Sequence, residues 1–138
     1  MIDSLRGRRC VSLRRFHHRF EGGPASETGP IEFTWDDGTW LTVDVKTDWT
    51  LELSEQPWSD PFARASASQR RELAVSVGLW EQAPMSAELC RLVGRVVTSA
   101  VLDLNEVGGA AGLTVAFDGL SVSARVAGGE LAVEVHER

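Results

Sequence analysis

The chain has 138 residues, of which 43% are hydrophobic and 25% are charged, and this balance predicts one ordinary globular domain over residues 1–138. No apolar run approaches the ~20 residues of a membrane-spanning helix, and arginines interrupt the N-terminal segment, so we expect neither a membrane anchor nor a secretory signal and predict a cytoplasmic protein. The formal net charge of −6 disfavours a general nucleic-acid binder.

Arginine dominates the basic residues, with Lys46 as the single lysine, a bias typical of a bacterium with a GC-rich genome. The arginines are concentrated at the N-terminus, because residues 1–20 hold six arginines and one aspartate. A basic strip on an acidic chain indicates internal charge pairing at least as well as it indicates an external partner.

The first predicted strand contains the stretch R-R-F-H-H-R-F, residues 14–20. His17 and His18 are adjacent, so on a strand they point to opposite faces and cannot easily share one metal ion, and the other His and Cys residues have no zinc-like spacing. We therefore expect no metal and no cofactor. A bulge near residues 14 and 15 would place Phe16 and Phe20 on the core face and leave the arginines at the surface.

A hairpin follows in I-E-F-T-W-D-D-G-T-W-L-T-V-D-V, residues 31–45. A three-residue loop with Gly38 in the left-handed conformation puts the apolar residues of both strands on one face, whereas a two-residue turn mixes the faces. This register points Trp40 away from the core. It also predicts that Trp35, and Trp49 on the next strand, face the core.

The central segment 54–91 differs in character, because two prolines near its start exclude a helix interior or a central strand. Residues 66–80 are predicted to form a helix that begins at Ser66 or Ser68. Its apolar stripe consists of Leu73, Val77 and Trp80.

The chain also resembles itself, since L-R-G-R-R-C-V-S (5–12) matches L-V-G-R-V-V-T-S (92–99). Residues 5–53 and 92–136 are therefore predicted to be internal repeats, joined by the loop and helix of segment 54–91. In the second repeat an Asp118-Gly119 turn of type I′ gives a hairpin with a consistent apolar face.

The predicted fold class is mainly β (α+β). Two pseudo-repeated four-stranded antiparallel meanders form a barrel or a sandwich, with one central helix. Both arrangements protect strand edges, and the pattern does not choose between them.

No nucleophile motif is present, and turn chemistry accounts for most of the clustered aspartates, so the catalytic residues are unknown and the pattern favours a non-enzymatic role. We expect a bacterial accessory module, immunity-like or an assembly partner, that binds another protein. Tryptophan and arginine are enriched at binding hot spots. The candidate partner surface comprises Trp40, Trp58, Asp60, Phe62, Arg14, Arg15 and Arg19.

Two alternatives remain open. The first is a small-ligand-binding barrel or a small enzyme of the same architecture, with Trp35, Trp49 and Trp80 lining its interior. The second is a single-stranded nucleic-acid binder that uses the aromatic and arginine residues of the first strand, which the net acidity disfavours. The sequence also leaves a homodimer open.

Overall fold

The computed structural model describes residues 2–26 and 28–138. Its strands are β1 (Cys10–Arg19), β2 (Ile31–Trp35), β3 (Trp40–Val45), β4 (Leu51–Ser54), β5 (Leu79–Gln82), β6 (Val97–Leu104), β7 (Ala110–Phe117), β8 (Leu120–Ala127) and β9 (Glu130–Glu137). Its helices are a 3₁₀ helix (Ile2–Leu5), α1 (Ala67–Ser76) and α2 (Ala87–Cys90).

The strands form two antiparallel sheets. The first has the order β4-β3-β2-β1-β5 and the second the order β6-β7-β8-β9. Both predicted four-stranded meanders, β1–β4 and β6–β9, are present, and the mainly β fold class with one main helix is confirmed. Over the described residues the strands make two open sheets and not one closed barrel, so the sandwich alternative holds.

One apolar core lies between the sheets, because alternate residues of each strand face inward. Phe33 and Trp35 of the first sheet are stacked with ring centroids 5.4 Å apart, and both belong to the same buried cluster as Val115 and Phe117 of the second sheet. Each fully buried side chain of this size contributes about 1.5–3 kcal/mol. This shared core explains why neither sheet leaves its apolar face in water.

Both predicted hairpin registers are confirmed. In the first hairpin Phe33 lies opposite Leu41, and Gly38 has a φ of 80°. In the second hairpin Val115 lies opposite Val122. The type I′ turn is wrong, however, because Trp49 is the one non-glycine residue with positive φ in the described chain, and type I′ requires positive φ at Asp118 too.

The starts of β1 and β6 cross at one corner of the sandwich, where Arg9 pairs with Val96. The backbone hydrogen bonds around this pair form two matched sets. The Gly7 N–H donates to the Val97 carbonyl, as the Gly94 N–H does to the Cys10 carbonyl. The Cys10 N–H donates to the Arg95 carbonyl, as the Val97 N–H does to the Arg8 carbonyl. These bonds relate equivalent positions of the two matching sequence segments. The internal duplication itself stays a prediction, which this local twofold supports.

The helix prediction was right about the start and wrong about the end. Ser66 is the N-cap and forms a capping box with Gln69, but α1 ends at Ser76. Gly78 then adopts a φ of 82°, the left-handed conformation that terminates helices, and its N–H donates to the Leu73 carbonyl. Trp80 therefore lies on β5, which pairs with the second half of β1, and not on a helical stripe.

The bulge in β1 and three aromatic residues also differ from expectation. The bulge in β1 lies between Cys10 and Ser12, not near residues 14 and 15. Phe16 is buried outside the inter-sheet core cluster, and Phe20 is 48% exposed. Trp49 was expected in the core but is 61% exposed in the loop between β3 and β4.

Candidate functional site

Arg14 is held by an ion pair on the face of the first sheet that points away from the core. Its Nε and Nη2 atoms donate to the two carboxylate oxygens of Glu32, each at 2.7 Å. Its guanidinium also lies 5.1 Å from the centroid of the Phe16 ring. A bidentate arginine–carboxylate pair of this kind fixes both side chains.

Glu32 is the one charged side chain that is buried in the described part of the chain, with 2% exposure. Besides Arg14, it accepts a hydrogen bond of 2.8 Å from the backbone N–H of Trp58. Burial alone raises the pKa of Glu32, but the Arg14 hydrogen bonds, the Trp58 N–H and the Arg14 charge together hold that pKa below its usual range. The carboxylate thus anchors the loop after β4 to the sheet.

Trp58 covers this anchor with an aromatic cluster. Its ring stacks on Phe16 with centroids 3.9 Å apart and an interplanar angle of 22°. Trp80 lies against Trp58 at 6.5 Å, and His18 lies 5.0 Å from Trp80. The loop therefore closes over the outer face of β1, and Trp58 is half-buried by contacts within the chain.

The other two predicted arginines also bond within the chain. Arg15 donates from Nε to the Gly29 carbonyl and from Nη2 to the Leu131 carbonyl, each at 2.9 Å, which links β1 to the second sheet. Arg19 forms an ion pair of 2.8 Å with Glu81. Because Arg14, Arg15 and Arg19 all bond within the protein, they do not form a free basic face on which β1 could bind single-stranded bases.

The remaining predicted partner residues are divided between two places. Asp60 pairs with Arg70 at 3.3 Å, and the backbone carbonyl of Phe62 accepts a second bond from the same guanidinium, so both residues fasten the loop to α1. Trp40 lies on β3 opposite Thr34 and is half-buried. The structure therefore brings Asp60 and Phe62 together at Arg70.

A cleft of about 610 Å³ opens where the end of β1 meets α1 and β5, and we call it the α1 cleft. The Glu21 N–H donates to the Ala74 carbonyl and fixes the end of β1 beside the helix. The residues that line the cleft are Arg19, Phe20, Glu21, Gly22, Gly23, Arg70, Arg71, Ala74, Leu79 and Glu81.

The α1 cleft combines apolar and cationic groups. Phe20 lines the cleft and is 48% exposed. Val75 and Val77, at the end of α1, are 65% and 46% exposed. Of the predicted residues only Arg19 lines it. Phe20 was expected in the core, and Arg70 and Arg71 were not predicted as site residues because helical arginines are ordinarily solvated. The available signal was the adjacent arginine pair in S-Q-R-R-E.

The three tryptophans of the ligand alternative do not meet. Trp35 is in the core, Trp49 is on a loop, and Trp80 alone lines a cleft, with a volume of about 330 Å³. His18 and Asp44 line the same cleft. Burial, with a smaller contribution from the Glu52 charge, raises the pKa of Asp44 above its usual range despite the Val45 N–H that it accepts.

Reactive groups in the described residues are few. Cys10 is fully buried, and burial raises the pKa of its thiol to about 11, with a backbone hydrogen bond at Ser12 opposing the shift. No cluster of three or more His, Cys, Asp or Glu side chains within residues 2–26 and 28–138 has the geometry to hold a metal ion. None of the helices described is long and apolar enough to cross a membrane.

Comparisons with known proteins give no relative: no family model, no curated protein and no solved structure matches the chain.

Proposed function

We propose that this chain is a non-catalytic protein-interaction module, an immunity-like or assembly accessory of the bacterial cytoplasm, and that the α1 cleft is its contact surface. The observation that carries the proposal is the exposed Phe20 beside a cleft that Arg19, Arg70 and Arg71 line. Aromatic and arginine side chains supply most of the energy at protein interfaces.

The charge of the cleft indicates the chemistry of the partner. Arg19 and Arg70 already pair with Glu81 and Asp60, whereas Arg71 is exposed. Glu21 and Glu81 line the cleft as well, so Arg71 is the cation that it offers to an acidic side chain of a partner, and the apolar ring of Phe20 provides contact area. The expected partner segment is acidic with at least one large apolar side chain.

Site-specific photo-crosslinking in the producing cells tests this surface. A benzophenone amino acid replaces Phe20 in one variant and Val107, which is 91% exposed and distant in sequence, in the control. We expect a discrete crosslinked protein from position 20 only, and a loss of at least ~tenfold in its yield when Arg71→Glu is added, since reversal of a rim charge opposes an acidic partner. Equal products from both positions, or indifference to Arg71→Glu, would contradict the proposal.

A second candidate, small-ligand binding, is favoured by the cleft between Trp80 and Asp44. An aromatic face beside a carboxylate suits a small organic cation. Calorimetric titration with a panel of small amines should give binding that Asp44→Asn removes and Asp48→Asn, in an exposed turn, retains. Absence of heat with all amines, or equal binding by both variants, refutes this candidate.

A further inference from the structure

A second cleft, of about 560 Å³, lies where the space between the two sheets continues past the apolar core, and we call it the inter-sheet cleft. On β1 the inward positions that follow the buried Leu13 are Arg15 and His17, and both line this cleft. On β9 the facing residues are Val133 and Val135, which pack at the margin of the core. Because polar side chains are costly to bury in an apolar core, the core ends at Leu13 and the space beyond it is a cleft.

The lining of the inter-sheet cleft is mainly apolar. Val133 and Val135 line it from the second sheet, and Leu89 of α2 lines it together with Ala83 and Pro84 of the preceding loop. Small-molecule sites in proteins are typically clefts of about 300–1,000 Å³ with apolar walls and a few polar groups. The volume and the walls of the inter-sheet cleft match this description.

Two serines supply hydrogen-bond donors to the inter-sheet cleft. The Ser86 hydroxyl oxygen accepts the Leu89 N–H at 3.1 Å, and the Ser26 hydroxyl oxygen accepts the His18 N–H at 2.9 Å. A hydroxyl that accepts can still donate its own proton, and neither proton has an acceptor within the described part of the chain. A molecule that fits this cleft therefore carries an acceptor, such as a carbonyl oxygen.

The ionic side chains of the inter-sheet cleft favour neither an anion nor a cation. Arg15 donates to the Leu131 carbonyl at 2.9 Å and so bridges the two sheets, and His17 lies 2.9 Å from the Glu81 carboxylate. The exposed Glu88 carboxylate would repel an anionic ligand, as the Arg15 guanidinium would repel a cationic one. The expected ligand is therefore uncharged.

We infer that the inter-sheet cleft binds one small, uncharged, apolar molecule that carries a carbonyl acceptor. Its apolar body lies against Val133, Val135 and Leu89, and its carbonyl oxygen accepts a hydrogen bond from Ser86 or Ser26. The described residues that line this cleft all differ from those of the α1 cleft, so the inference is independent of the proposed contact surface.

Fluorescence titration of the full chain with prodan, an uncharged naphthyl ketone whose emission shifts to the blue in apolar surroundings, tests the site. We expect a saturable blue shift with one molecule bound per chain. Ala83→Trp fills the cleft with a large side chain and should weaken binding at least ~tenfold without a change in circular dichroism. The control Ala63→Trp, in an exposed loop, should bind like the wild type. Absence of saturable binding, or equal binding by Ala83→Trp and the wild type, overturns the inference.

Two further measurements test the ligand class, and both avoid Ser26, which also lines the cleft between Trp80 and Asp44. Acetylnaphthalene, an uncharged ketone, should displace prodan at a concentration at least ~tenfold lower than naphthoate, which has the same rings but is an anion. Ser86→Gly should weaken prodan binding about threefold or more because it removes a hydroxyl donor.

Ser66→Gly is the matched control for Ser86→Gly, because Ser66 is the N-cap of α1 as Ser86 is the N-cap of α2, and glycine is tolerated at N-caps. It should leave prodan binding unchanged. Displacement by naphthoate at the same concentration as acetylnaphthalene, or equal prodan binding by the two serine variants, overturns the inference.

Discussion

The pair Arg14–Glu32 offers the most direct test of how the loop after β4 is held to the sheet. We consider Arg14→Met, which keeps an unbranched apolar stem over Phe16 but removes both hydrogen bonds to the carboxylate. Glu32 would then be a carboxylate at 2% exposure with the Trp58 N–H as its remaining donor in the described structure.

Removal of one partner from a buried ion pair costs about 3–5 kcal/mol of unfolding free energy. The Arg14 side chain is 37% exposed and the Trp58 N–H remains, so we expect the lower end, about 3 kcal/mol. Glu32→Gln should cost less, about 1–2 kcal/mol, because Arg14 can then turn to water. The double variant should cost less than the sum, with a coupling of about 2 kcal/mol.

The pH dependence of these variants has a predicted sign. In the wild type the pKa of Glu32 is lowered by folding, so its contribution to stability is present above the unfolded value of about 4.3 and is lost as pH falls through the folded value. In Arg14→Met, burial becomes the main influence and raises the pKa of Glu32, so protonation favours the folded chain. The stability difference between wild type and Arg14→Met should therefore shrink between pH 7 and pH 4.

Urea unfolding followed by tryptophan fluorescence measures these free energies, and the signal includes Trp58 itself. Arg64→Met, at an exposed arginine, is the matched control and should lie within about 0.5 kcal/mol of the wild type. Costs below about 0.5 kcal/mol for both Arg14→Met and Glu32→Gln, or a stability difference that widens on acidification, would refute the assigned role of the pair.

Two other predictions concern glycine geometry and thiol reactivity. A Cβ at Gly29 would overlap the Phe16 carbonyl oxygen, whereas a Cβ at Gly38 would have open space but Gly38 has a φ of 80°. Urea unfolding should therefore show a loss of unfolding free energy of about 3 kcal/mol for Gly29→Ala and about 1 kcal/mol for Gly38→Ala. Equal losses would contradict the contact at Gly29. A thiol reagent at pH 8 should react with Cys90 in the native chain and with Cys10 only after denaturation, because Cys10 is buried and its thiol has a pKa of about 11. Rapid reaction of both thiols in the native chain would show that Cys10 is accessible.

Period-two alternation and turn residues predicted the two hairpins and their registers. Those features are local, because a one-residue slip would expose every core side chain of the strand. The N-cap at Ser66 could be predicted from the sequence for the same reason. The strand Leu79–Gln82 could not be predicted, since a short apolar run is compatible with helix or strand. Its secondary structure was decided by pairing with the edge of β1, sixty or more residues earlier in the chain.

The candidate site shows the same division. Arginine and tryptophan were predicted as candidate interface residues from their chemistry, but whether an arginine is available depends on which carboxylate lies opposite it, as Glu32 does for Arg14. The sequence by itself determined the mainly β class and the strand order within each meander, because alternation and turn chemistry act between near neighbours. Only the tertiary structure decided which arginines are already paired and that Phe20 is exposed while Phe16 is buried, because both depend on contacts between segments that are distant in the chain.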